Sequence, residues 1–123
     1  MQNMNVGVDM VLVSRFAEKQ MFSNTDALHK IFTPQELAYC LSCTHPAQHL
    51  AARFAAKEAV IKALAAAGEE MHIMKDCTKI EVIRSAKGVP SIVLHDLDLQ
   101  KWNVKISLSH TEEQAIAFAI VFK

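Results

Sequence analysis

Arg53-Phe54-Ala55-Ala56-Lys57-Glu58-Ala59-Val60-Ile61-Lys62-Ala63 is the stretch on which the fold turns. It lies within a run from Ala47 to Ala67 that is rich in alanine and other strong helix formers, and Gly68 supplies the left-handed residue that commonly ends such a run. The reading is one long helix. At about 100° per residue its alanines cover one broad side while Leu50, Phe54 and Ile61 line the other, so the helix is apolar nearly all round and should be buried. Its middle nevertheless carries Arg53, Lys57, Glu58 and Lys62, and ionised groups on a buried helix must find partners. Two arrangements satisfy them. In one, Glu58 and Lys62 pair at i,i+4, worth only ~0.3–0.5 kcal/mol, while Arg53 and Lys57 reach solvent along their stems. In the other, the cations gather round a polyphosphate and Glu58 joins a second carboxylate in holding a metal.

Working outward, Val6-Gly7-Val8-Asp9-Met10-Val11-Leu12-Val13 is β-branched and apolar at odd and even positions alike, which predicts a strand buried on both faces with Asp9 at its centre. Asp9 can serve as that second carboxylate, cap a backbone or pair with Arg15. Ser14 is placed to cap a helix over Arg15 to Phe22, which Ser23-Asn24-Thr25-Asp26 then breaks. Thr33-Pro34-Gln35-Glu36 carries the signature of a capping box, with proline at the first helical position of a short helix reaching about Ser42.

Beyond the long helix, Thr78 to Arg84 and Ser91 to His95 flank Lys87-Gly88-Val89-Pro90 and read as two antiparallel strands joined by a loop. A short helix is expected over Asp96 to Trp102. Val104, Ile106 and Leu108 alternate with Lys105, Ser107 and Ser109 in a half-buried strand, whose partner is the apolar run Ala115 to Phe122. The class is α+β, an antiparallel sheet packed against a long central helix.

A chain of 123 residues that is 51% hydrophobic supports one core, hence a single domain over residues 1–123. Thirteen acidic residues balance thirteen basic ones, so no global charge points to nucleic acid or a membrane surface, and any phosphate site must be local. Cys40, Cys43 and Cys77 are read as reduced thiols, and Cys40-Leu41-Ser42-Cys43 with His45 is half a zinc site without its second half. Residues 1 to 13 lack the pattern of a signal peptide and no apolar run reaches the ~18 residues of a membrane span, which predicts a soluble cytoplasmic protein. Ser107-Leu108-Ser109-His110-Thr111 ends a strand with hydroxyls and an imidazole that either bind phosphate or shape the turn.

Four segments in order, Gly7-Val8-Asp9-Met10-Val11, Phe32-Thr33-Pro34-Gln35-Glu36, Arg53 to Ala59 with Lys62-Ala63, and Ser107 to Thr111, resemble the holo-acyl-carrier-protein synthase family of phosphopantetheinyl transferases. The resemblance runs from about Met4 to the C-terminus. It implies transfer of 4'-phosphopantetheine from coenzyme A to a serine of an acyl carrier protein, with Mg2+, by homotrimers whose active sites lie between subunits. On that resemblance Asp9 and Glu58 are the magnesium ligands and, with Lys62, the catalytic group. Lys62, Arg53 and His110 contact coenzyme A phosphates, and Gly88 and Pro90 border its adenine. Arg15 and Lys19 face the carrier protein. The chain departs from the family pattern at Leu12, where glutamate is usual, at Ala66-Ala67-Gly68 in place of a glycine-threonine-glycine turn, and at Val89 in place of lysine. The carrier-facing helix offers only Arg15 and Lys19 against Glu18. The departures leave a second reading open, a coenzyme A or carrier binder weakened in catalysis, and a metal-dependent phosphohydrolase is a third.

Overall fold

The computed structural model describes residues 3–17 and 25–123, without the side chains of residues 25 and 74. Strand β1 (Met4–Leu12) is followed by the short helices α1 (Ser14–Ala17) and α2 (Thr25–Ile31), then α3 (Pro34–Ser42) and the 21-residue α4 (Pro46–Ala66). A single-turn helix α5 (Ile73–Asp76) and a 3-10 turn lead into β2 (Ile80–Arg84) and β3 (Pro90–Leu94), and after a second 3-10 turn come β4 (Asn103–His110) and β5 (Gln114–Phe122). All strand pairing is antiparallel, in a three-stranded sheet of order β1-β5-β4 and a two-stranded sheet β2-β3. The expected hairpins Thr78–Arg84 with Ser91–His95 and Val104–Ser109 with Ala115–Phe122 are both formed, and β5 lies between β4 and β1.

Helix α4 lies across β1 and β5, and its small residues set the distance. Ala51, Ala55, Ala59 and Ala63 are fully buried, as are Ala115, Ala117 and Ala119 on β5. Small side chains on both surfaces bring helix and sheet close together. The end of α4 follows from Gly68, whose φ of +101° lets Glu69 N–H reach the Leu64 carbonyl at 3.0 Å and Gly68 N–H reach that of Ala65 at 3.0 Å, a Schellman stop. Phe16 and Phe54 meet edge to face across α1 and α4, with ring centroids 5.6 Å apart.

The capping box is present as read: Thr33 Oγ1 accepts from Glu36 N–H at 3.2 Å and Glu36 Oε1 accepts from Thr33 N–H at 2.9 Å. Glu36 does more than cap. The same carboxylate accepts from Val82 N–H at 2.8 Å and pairs at 2.8 Å with Lys57, which is fully buried. Lys57 Nζ also donates to the carbonyls of Cys77, at 2.8 Å, and Ile80, at 2.5 Å, so the ammonium has three partners. Burial pushes the Lys57 amine below its usual range, and Glu36 opposes that shift. Neither Lys57 nor Arg53 reaches solvent along its stem, because α3 and β2 cover this side of α4. Removing one member of a buried pair strands the other, so Lys57→Met should lower unfolding free energy by about 3–5 kcal/mol in urea titration.

Several expectations are corrected. Strand β1 is not buried on both faces: Val8 is 51% and Met10 59% exposed, whereas Gly7 and Val11 on the opposite face are buried under α4. Its continuous apolar pattern reflects a second face left open in the single chain. Ser14 is the first helical residue of α1 rather than its cap, and residues 18–24, including Lys19, lie outside the described residues. The segment expected to break there instead starts helix α2 at Thr25. Asp96 caps only a 3-10 turn, Leu97–Leu99, by accepting from Asp98 N–H at 3.0 Å.

Candidate active site

The site starts at Gly7. A Cβ placed there would lie 2.0 Å from the Ala59 carbonyl oxygen and 2.8 Å from the Ala63 nitrogen, so only glycine allows β1 to pass this close to α4. Two residues along the same strand face, Asp9 points toward the same helix with its side chain 11% exposed. Asp9 Oδ1 accepts from Lys62 Nζ at 2.9 Å, and Lys62 also donates to the Val8 carbonyl at 3.1 Å. The expected i,i+4 partner of Lys62, Glu58, is therefore displaced by a carboxylate from the strand. Glu58 lies against Asp9, and its pKa is raised to about 7 by burial first, then by a hydrogen bond to Asp9 and by the Asp9 charge, with Arg15 and Lys62 opposing. Among the described residues the buried Oδ2 of Asp9 has no hydrogen-bond partner.

Two crowded carboxylates with an orphaned buried oxygen form an incomplete receptor for a hard cation. Among the described residues no group of three or more His, Cys, Asp or Glu side chains converges on a metal position. A cation held here would thus draw its other ligands from water and substrate oxygens, as magnesium does. The donor set fits Mg2+.

A second group of predicted residues gathers elsewhere. Arg53 of α4, Gly88 of the β2–β3 loop, Pro90 at the start of β3, and His110 at the end of β4 line one cleft of about 180 Å³. Gly88 has φ of +81°, and the turn is fixed by Gly88 N–H donating to Ser85 O at 2.8 Å and Ser85 N–H to Val89 O at 3.0 Å. His49 and Arg84 stand in the same wall and were missed from the sequence. Both had a signal: His49 is one helical turn before Arg53, and Arg84 pairs with Pro90 in the strand register. A larger cleft of about 650 Å³ is lined by Glu58, Arg15, Lys30 and Phe54, with Arg15 stacked over the Phe54 ring at 4.7 Å. Among the described residues the two clefts share none of their lining. In the Ser107–Thr111 segment, Thr111 shapes the turn, its Oγ1 accepting from the backbone N–H of Glu113 and Gln114.

The sequence pattern of the 4'-phosphopantetheinyl transferase superfamily matches residues 5–119, nearly the whole chain. The chain belongs to this superfamily. Within it, the chain is 40% identical to the holo-[acyl-carrier-protein] synthase of Chlamydia caviae over 98% of both chains, and 38% identical to that of Geotalea daltonii over 95% of this chain and 96% of the other. The fold matches that of the Chronobacterium ammoniagenes synthase solved as a coenzyme A complex, with a TM-score of 0.82, 28% identity and coverage of 98% and 97% of the two chains. The α+β architecture is thus that of the holo-acyl-carrier-protein synthases.

For a phosphopantetheinyl transferase, the raised pKa of Glu58 has a consequence for stability. The unfolded chain gives up this proton near 4.5 and the folded chain near 7, so the folded state binds protons more tightly in that window. Without divalent cation, the melting temperature should therefore fall as pH rises from about 4.5 to about 7, and saturating Mg2+ should raise it at pH above 7 more than below 5. Calorimetric scans across that range check the sign.

Proposed function

We propose that this chain transfers the 4'-phosphopantetheine group of coenzyme A to a serine of an apo acyl carrier protein, releasing adenosine 3',5'-bisphosphate. The observation that carries the reading is the pairing of Asp9 with Glu58, beside Lys62, in a chain of this superfamily. The serine oxygen attacks the β-phosphorus of coenzyme A, and the bond from that phosphorus to the bridging oxygen breaks. Asp9 and Glu58 would hold Mg2+, which when bound supplies positive charge to the pyrophosphate oxygens. Lys62, already beside Asp9, adds a cation that offsets the negative charge gathering on the leaving oxygen. Glu58 is the carboxylate of this chain assigned to take the serine proton, from its place beside Asp9 and Lys62.

Arg53, Gly88, Pro90 and His110 are assigned to the nucleotide, which their shared cleft supports. Arg15, at the rim of the cleft that holds Glu58, is assigned to the carrier protein together with Lys19. The active unit is a homotrimer. The face of the three-stranded sheet turned away from α4 exposes Val6, Val8, Met10, Ile116 and Phe118, an apolar surface suited to a second copy of the chain. The separation of the two clefts also suits a site assembled from the metal group of one subunit and the nucleotide group of its neighbour. Residues 1–123 work as one unit in the cytoplasm, a setting in keeping with three free cysteines; among the described residues no helix is long and apolar enough to cross a membrane.

The test is to incubate the protein with coenzyme A, Mg2+ and a panel of apo carrier proteins, and to weigh the carriers by mass spectrometry. At least one carrier should gain one phosphopantetheine. Phe118→Glu should run as a monomer in size exclusion and lose transfer. Coenzyme A binding with every carrier unmodified would leave only a binding protein, and product release without a carrier would mark a hydrolase.

A further inference from the structure

The transfer reaction leaves the Cys40-Leu41-Ser42-Cys43 spacing unused. It places two of the three cysteines, all free thiols, at the last turn of α3. Among the described residues no three His, Cys, Asp or Glu side chains converge on a metal position, so His45 does not complete a zinc site there. Two thiols without further donors have another chemistry, which is to join. Residues three apart on a helix have Cβ atoms about 5–6 Å apart, and a disulfide needs about 3.5–4.5 Å. Cys43 can close that gap because it has already left the helix, with φ −79° and ψ 157°. Its N–H still donates to the Cys40 carbonyl at 3.2 Å, and its Sγ turns back along the helix to donate to the Tyr39 carbonyl at 3.3 Å. Thr44 and His45, between α3 and α4, can take up the movement without unwinding either helix.

We propose that Cys40 and Cys43 form a reversible disulfide on exposure to peroxide, and that this bond is a switch on donor binding. The two thiols differ in role. Cys43 is half-buried between the exposed Ser42 and Thr44, so peroxide meets it first. Cys40 is fully buried, and burial pushes its thiol up to about 11, with Arg53 opposing by its charge and a hydrogen bond to the sulfur. The Cys43 sulfur attacks one peroxide oxygen, the O–O bond breaks, and water leaves behind a sulfenic acid. The Cys40 sulfur then attacks that of Cys43, and its proton departs with the hydroxyl as a second water. Two thiols are oxidised to one disulfide and one peroxide is reduced to two waters. A thiol reductant reverses the change.

How the bond acts on the donor rests on the proposed function. Tyr39 directly precedes Cys40, and its ring lies under two cations, 4.4 Å from Cζ of Arg53 and 5.1 Å from that of Arg84. Its carbonyl holds the Cys43 sulfur and its hydroxyl accepts from Arg84. Closing the disulfide takes both sulfurs from their partners, Cys43 from the Tyr39 carbonyl and Cys40 from Arg53. Tyr39 and the two cations then shift together, and the cleft assigned to the nucleotide, which Arg53 and Arg84 line, loses its fit.

The experiment is to treat the protein with hydrogen peroxide, alkylate the remaining thiols in denaturant, and map the cysteines by peptide mass spectrometry. Cys40 and Cys43 should be joined and Cys77 alkylated, and dithiothreitol should restore all three thiols. Cys40→Ser should stop at a Cys43 sulfenic acid that a cyclic diketone traps. Cys43→Ser, at a half-buried position outside the helix, should keep its fold and form no bond. Calorimetric titration then uses S-methyl coenzyme A, which has no thiol to reduce the disulfide. Oxidised wild type should bind it about tenfold more weakly than reduced wild type, and Cys43→Ser should bind it alike before and after peroxide. Cys40 and Cys43 both alkylated after peroxide, a bond through Cys77, or unchanged donor affinity with the disulfide in place would overturn the proposal while leaving the proposed function standing. If reduced wild type does not bind the donor, the proposed function fails and the switch with it, whichever bond the mapping finds.

Discussion

Glu58→Gln should slow phosphopantetheine transfer by about a thousandfold or more while leaving the protein at least as stable as wild type at pH above 7. The two halves of this result have one cause. The crossing of α4 over β1 buries the Glu58 carboxylate against Asp9, and burial first, then Asp9, raises its pKa to about 7. Glutamine keeps the shape of the protonated acid and removes that repulsion. It also removes half of the charge that would hold a cation. A residue retained only for packing would give the opposite pattern, with stability lost and turnover little changed. Thermal melts at pH 8, beside turnover followed by carrier mass, separate the two.

Gly7→Ala should lose both, lowering unfolding free energy by more than about 4 kcal/mol. Its Cβ would lie 2.0 Å from the Ala59 carbonyl oxygen, a backbone atom that cannot swing aside. Helix and strand would have to separate, opening the interface of small residues and drawing Glu58 away from Asp9. Gly68→Ala is the control. Among the described residues its Cβ meets nothing within 4 Å, and it carries only the strain of φ +101°, about 1–2 kcal/mol, far from the carboxylates in sequence. Urea unfolding of the two variants should therefore differ in size, and only Gly7→Ala should also fail in transfer.

The long helix, the capping box and both hairpins were legible because each has a local signal: alanine density with a terminal glycine, a Thr-x-x-Glu spacing, and alternation around loop residues. The pairing of β1 with β5 had none, since it joins the two ends of the chain and depends on a register fixed only in space. The open face of β1 was misread for a related reason. A strand buried under a helix and a strand covered by another copy of the chain have the same sequence pattern. Among the charged residues of α4, composition could show that partners were needed but not which. Lys57 went to Glu36 of α3 and Lys62 to Asp9 of β1, both on elements apart from α4 in sequence. The departures from the family pattern have ordinary physical settings: Leu12 and Val89 are exposed, and Ala66-Ala67-Gly68 makes a regular helix stop.

The most direct test of the central claim, that Asp9 and Glu58 together hold the cation of the reaction, is electron paramagnetic resonance of Mn2+ titrated into the protein with coenzyme A present. Wild type should deplete the free Mn2+ signal, and Asp9→Asn and Glu58→Gln should each weaken that binding at least about tenfold. Wild-type Mn2+ affinity in both variants would contradict the account.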